Sequence, residues 1–364
     1  MEFNKSLKEL LNRLVGKHNT EEELELKNEF FSYSGSTPKR DLRKSSKLFI
    51  PCILKDSNGV EVEWNPFYST NNYNVNVVIS SQNSTIRPIL ESCVCDNHFA
   101  GISDSIVFAP MVEYPSLRED SISIFEGEKV NYNLDFLSVL NPDDIDVDLL
   151  ANLVNTYIES LFTLCFETNF PKKNLAIDLR FKRFMYHCHE RISSYIINRE
   201  SYSTVSLIEW LRCGYVPDQI DYFSLIFSTM PELEQVYDPS MPSVYGVTNH
   251  LVIDSCELAG MNVQHLVSVT IPLVALYNQY KSEKLKPMFI LNEHLGTPKQ
   301  ENICSLISRH FKQKAISYIH VVNGAQRKNG IFSLYATNLV YETINETSFI
   351  NDYQEIVLKE KFAA

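Results

Sequence analysis

The sequence predicts an α+β fold with a β-rich N-terminal region, a helical middle and a C-terminal βαββ unit. Three observations carry this. Tyr73, Val75 and Val77 alternate with Asn74 and Asn76, the period of a half-buried strand. Val147, Leu150, Val154, Tyr157, Leu161 and Cys165 recur at helical spacing. Near the C-terminus, the apolar runs Met288–Leu291 and Ala315–Val322 flank a helix start, Thr297-Pro298-Lys299-Gln300. Strand, helix and strand in that order make one parallel crossover.

From the N-terminus, Leu7, Leu10, Leu11, Leu14 and Val15 form an apolar helical stripe that Gly16 can close. Thr20 and Glu23 make a capping box for a second helix ending near Phe31. A cationic loop, Lys39–Lys47, leads into a hairpin: Lys47–Lys55 and Val60–Trp64 flank the turn Asp56-Ser57-Asn58-Gly59. Ser105–Val112 and Ser121–Phe125 are further strand runs, so residues 47–130 read as β-rich. Asn141-Pro142-Asp143-Asp144 then opens the long helix, its acids placed where the helix dipole favours them. Helices follow over 178–199, 203–213 (closed by Gly214) and 218–230. Pro231–Pro242 is an acidic, proline-bearing connector. A helix over 262–284 carries Pro272, which should kink it. Ile331–Tyr341 completes the C-terminal unit by pairing as a hairpin with the strand before it. These shifts divide the chain into 1–140, 141–232 and 243–364.

Composition bounds the function. The chain holds 11 glycines in 364 residues, where average usage of about 7% would give about 25. No two are adjacent, and none form G-x-G or G-x-x-G. A phosphate cradle needs backbone amides unobstructed by a Cβ. No dinucleotide, phosphate-loop or kinase glycine motif can be drawn, and no cofactor is expected. A formal charge of −12 disfavours nucleic acid without excluding a local basic groove. Leu266–Tyr277, the longest near-apolar run, is too short for a membrane span, and Met1–Ser6 begins no secretory signal. The chain reads as soluble and cytoplasmic, its eight scattered cysteines as reduced thiols.

Reactive side chains concentrate in two places: Cys93-Val94-Cys95-Asp96-Asn97-His98 and His187-Cys188-His189-Glu190. Thiolates and imidazoles could hold zinc, but C-x-C is tighter than zinc spacing. His187 and His189 would also point about 200° apart on a helix. No metal is expected. A thiol enzyme would use Cys93 or Cys95 with His98, His187 or His189, oriented by Asp96 or Glu190. Asp96 works against it by raising the thiol pKa of Cys95. Gly101-Ile102-Ser103-Asp104-Ser105 half-resembles a nucleophile elbow but reads as a surface turn, because a β-type run follows it. Asp144 cannot start an EF-hand loop, since Leu149 and Asn155 stand where Gly and Glu are required.

Three basic runs could contact anions or nucleic acid. They are Lys39–Lys47 with Lys39, Arg40, Arg43 and Lys44, then Lys172-Lys173, and Arg180-Phe181-Lys182-Arg183-Phe184. On a helix, Phe181 and Phe184 are more simply core contacts with the cations reaching outward. The reading that remains is a non-catalytic intracellular binding or assembly protein acting through protein–protein contacts. A Cys/His-dependent hydrolase or transferase is the alternative, and a local nucleic-acid surface the third.

Overall fold

The computed structural model describes residues 86–293 except 171–177, 199–201, 217–219, 247–249 and 282–286, with six strands outside that span. These include a hairpin, β1 (Cys52–Lys55) and β2 (Glu61–Trp64), paired antiparallel as the turn signal predicts. The N-terminal helices and the helix at Thr297 fall outside the described residues.

The centre is an eight-stranded sheet whose strand pairings are all parallel. It comprises β3 (Val75–Ser80), β4 (Asp104–Ala109), β5 (Ser121–Ile122) and β8 (His250–Asp254). To these it adds β9 (Met288–Asn292), β10 (Ile316–Asn323), β11 (Thr337–Glu342) and β12 (Glu355–Lys359). A separate short ribbon pairs β6 (Phe125–Glu126) with β7 (Lys129–Val130). The order across the large sheet is β12-β11-β3-β10-β9-β4-β8-β5. The mixed class is as predicted, and 1–140 and 243–364 contribute strands to this one sheet. The predicted β10–β11 hairpin does not form. Both strands pair parallel with β3, which lies between them.

The central strands are buried on both faces, which is why they read as unbroken apolar runs. Ile106, Phe108, Leu251, Ile253 and Ile290 face a helical layer. Val107, Ala109, Val252, Phe289 and Leu291 face the other way. The second face is covered by α1 (Ile86–Phe99) through Leu90, Cys93 and Val94. This helix lies within the stretch 47–130 that reads as β-rich and that also holds strands β1–β7. Pro88 sits in its first turn, where a missing N–H costs no helical hydrogen bond.

The helical layer contains α2 (Val147–Asn169), α3 (Leu179–Ile197), α4 (Thr204–Arg212), α5 (Tyr222–Thr229), α6 (Leu233–Val236) and α7 (Val263–Lys281). The long helix starts later than Asn141 suggested. Asp146 is its N-cap, accepting from the amides of Asp148 and Leu149 at 2.9 and 3.3 Å. Asp144 is engaged elsewhere, 2.8 Å from Lys281 Nζ and accepting from Tyr277 Oη at 2.7 Å. Helix α2 is long and apolar enough to cross a membrane by length and composition, but 67% of its apolar window is buried in the protein. Around it Phe162, Phe166, Phe181, Phe184, Tyr222 and Phe223 stack and meet edge to face. Helix α7 runs through Pro272 without ending there.

Candidate functional site

In a parallel sheet all strands deliver their carboxyl ends to one edge. From β3 the chain moves to β4 on one side; from β10 the next described strand is β11, on the other. Open parallel sheets bind ligands outside the strand ends where connections diverge in this way. The segment joining β3 to α1, residues 81–85, is Ser-Gln-Asn-Ser-Thr in sequence. It has neither the glycines nor the lysine of a phosphate loop.

One buried carboxylate stands at this edge, on Glu293 just after β9. Its side chain is 5% exposed. Arg87, in the first turn of α1, donates from Nε to Oε1 at 2.7 Å and from Nη2 to Oε2 at 3.3 Å. Tyr114 donates its hydroxyl to Oε1 at 2.6 Å. The Glu293 amide donates to the Phe108 carbonyl at 3.0 Å, locking the strand end to β4. Burial, reinforced by the Glu293 charge, pushes the Tyr114 phenol well above its usual range, so it stays a donor. Burial alone would lower the Arg87 pKa; the hydrogen bond and charge of Glu293 outweigh it and raise it. Arg87 also lies 3.6 Å from Glu113 Oε2. With three donors on it, the Glu293 carboxylate is a structural anion.

The residue before it is engaged too. Asn292 is fully buried and donates from Nδ2 to the Ser268 carbonyl at 3.1 Å, and lies 3.0 Å from both Ser268 Oγ and Tyr318 Oη. The cause is four residues along α7. Pro272 has no N–H to give the Ser268 carbonyl, and the amide of Asn292 supplies the missing donor. At the end of β8, Asp254 caps the turn that follows, accepting from Cys256 and Met111 amides at 2.9 and 3.1 Å.

No protein-family model matches the chain, and no curated protein matches it in sequence. In structure it is similar to VirB4 of Thermoanaerobacter pseudethanolicus. The TM-score is 0.54 at 13% identity, over 80% of this chain and 84% of that one. At that identity the likeness is one of fold.

The predicted reactive residues lie on two helices. Cys93, Cys95 and His98 are on α1, and Cys93 packs in the core beneath it. His187 and His189 are on α3, with Cys188 buried between them in the core of the helical layer. Cys93 and Cys188 thus belong to separate core clusters on opposite faces of the sheet. No group of three or more His, Cys, Asp or Glu among those residues is placed to hold a metal. His98 instead stacks on His250, ring centroids 4.1 Å apart. His250 shares a hydrogen bond through Nδ1 with Ser105 Oγ and lies 3.7 Å from Asp120 Oδ2 through Nε2. Burial and the neighbouring His98 lower its pKa against the pull of Asp120. This serine, histidine and aspartate sit where β4 and β8 begin, at the opposite edge from Glu293. Ser105 is buried, as is Ser103, so the expected surface turn at 101–105 is only partly exposed. Gly101 does turn the chain, at φ +65°, but from helix into strand, the reverse of a nucleophile elbow.

Lys39, Arg40, Arg43, Lys44, Lys172 and Lys173 lie outside the described residues. Arg180, Lys182 and Arg183 are exposed on α3, while Phe181 and Phe184 face the core, as helical spacing suggested.

Thiol chemistry is testable directly. Burial pushes Cys165 and Cys188 up to about 12. Cys95 is also raised, by burial and by Glu91, Asp120 and Asp96. Cys213 is exposed. Iodoacetamide at neutral pH is therefore expected to modify Cys213 at least about tenfold faster than Cys93, Cys95, Cys165 or Cys188, as read by peptide mass spectrometry. Fastest labelling at Cys95 would reverse this reading.

Proposed function

We propose that the chain is a non-catalytic binding or assembly protein, intracellular, that works through protein–protein contacts. The observation behind this is the engaged carboxylate: Arg87 and Tyr114 place three donors on Glu293 at the edge where a parallel sheet would take a ligand. The adjoining segment 81–85 supports it, because bare backbone amides are what phosphates bind and that segment has no glycine. Exposed Leu179, Tyr186 and Val216 supply apolar surface on the helical layer suited to a protein partner.

The full chain is mixed with magnesium and ATP or GTP, with binding followed by calorimetry and turnover by phosphate release. No saturable heat and no release above the protein-free rate are expected. A Kd below about 1 mM, or catalysed release of phosphate, overturns the reading.

A further inference from the structure

At the amino edge of the sheet, opposite Glu293, two imidazoles lie face to face. His98 stands in the last turn of α1 and His250 opens β8. Their centroids are 4.1 Å apart and their planes 20° from parallel. His250 is engaged at both ring nitrogens. Nδ1 shares a hydrogen bond with Ser105 Oγ on the neighbouring strand, and Nε2 lies 3.7 Å from Asp120 Oδ2. The His250 ring is largely buried, Ser105 is buried and Asp120 is half exposed. Among the described residues the groups acting on His250 are thus His98 from α1, Ser105 from β4 and Asp120 from the turn before β5. Cys95, one turn back on α1, also feels the charge of Asp120.

We propose that the stacked His98–His250 pair is a pH-sensitive clasp, which holds the last turn of α1 to the start of β8 while neutral and opens on protonation in mild acid. Neutral His250 fits its surroundings: the Ser105 hydroxyl donates to Nδ1, and the hydrogen-bearing Nε2 faces Asp120. A proton added at Nδ1 turns that acceptor into a donor. Ser105 must then turn its own hydrogen away, and among the described residues its hydroxyl has no second acceptor. A buried donor without a partner opposes that state. Charge on both rings of the stack adds repulsion across 4.1 Å. Asp120 pulls the other way, but it is half exposed, so water screens its attraction. An opened ring, with the ordinary pKa of about 6.5, therefore takes a proton more readily than the clasped one. The closed form is favoured above that pH and weakens as pH falls below it. The opening is local. The rest of α1 stays docked through Leu90, Cys93 and Val94. Amides of Ala100, Gly101 and Ile102 bond to carbonyls of Asp96, His98 and Asn97, within the turn itself, so it can move as a unit. Exposed Phe99 moves with it.

The test uses the full chain with isotope-labelled histidine, titrated by two-dimensional NMR from about pH 8 to about pH 5, and hydrogen exchange read by mass spectrometry. His250, identified as the resonance lost in His250→Asn, is expected to titrate below about 6.5. His98→Gln removes the facing ring and should move that titration upward. Exchange in peptides spanning 96–103, corrected for the intrinsic effect of pH, should quicken at least about tenfold in wild type between about pH 7.5 and about pH 5. Peptides of α2 should keep their protection, which separates a local opening from unfolding. In His250→Asn an uncharged amide oxygen can still take the Ser105 hydrogen, and the quickening should vanish. Titration of His250 at or above about 6.5, wild-type exchange that ignores pH, or equal quickening in His250→Asn would each overturn the proposal. If that variant does not fold, His98→Gln still decides: it must remove one histidine resonance and raise the titration of another, and a spectrum in which no titration rises overturns the proposal. Neither readout involves nucleotide, so the non-catalytic reading stands or falls separately.

Discussion

Arg87→Met is expected to lower the stability of the fold by about 3–5 kcal/mol, because it leaves the Glu293 carboxylate buried with no countercharge. The pair joins the first turn of α1 to the end of β9 across 206 residues of sequence, and Glu293 is 5% exposed. Methionine preserves much of the arginine's apolar stem, so lost packing is the smaller part of the effect. Glu293→Gln in the same background should recover a substantial share, since a neutral amide needs no cation and can still accept from Tyr114. The double variant should therefore fall well short of the summed single losses, which marks a coupled pair. Urea denaturation at neutral pH, followed by far-ultraviolet circular dichroism, reads wild type, both single variants and the double. A loss below about 1 kcal/mol for Arg87→Met would show that water reaches Glu293.

What could be read in the sequence was whatever is local. The helices α3, α4 and α5 fall inside their predicted ranges because period and caps are short-range signals: Ser203 caps α4, and Gly214 follows it at φ +86°. Helix α1 carried the same kind of signal in Leu90, Cys93, Val94 and Asn97, at i, i+3, i+4 and i+7, all buried. It was hidden because its polar face interrupts the pattern and its neighbours are strands. Strand order was not local. Placing β3 between β10 and β11 joins stretches more than half the chain apart, and nothing in either run announces the partner. The site shares that difficulty. Arg87, Tyr114 and Glu293 form no motif, and Asn292 gains its meaning only from the carbonyl that Pro272 leaves open.

Asp135 should make the protein lose stability as pH rises from about 4 to about 6, against the usual trend for carboxylates. The group is buried in the helical layer, and its carboxyl is pushed up from 3.8 to about 6. Burial is the cause. The Thr204 hydroxyl and amide, each donating at 2.6 Å, and the Leu137 amide at 2.9 Å oppose it without cancelling it. Among the described residues no cation pairs with it; Thr204, which donates to it, is linked in turn to Tyr157, and Tyr157 to Tyr237. The native state thus holds the proton more tightly than the unfolded chain. Stability from this group is full below the unfolded pKa and declines as pH passes through the native value, by up to about 3 kcal/mol. Asp144, whose pKa is lowered by its bonds to Lys281 and Tyr277, contributes in the opposite sense at lower pH. Comparison with Asp135→Asn cancels that contribution. The asparagine variant should show a flatter urea midpoint over this window than wild type, and equal slopes would mean that Asp135 ionises as an ordinary surface acid does. Asp135→Ala should be worse at every pH, costing about 3–5 kcal/mol, because three buried donors then lose their acceptor together.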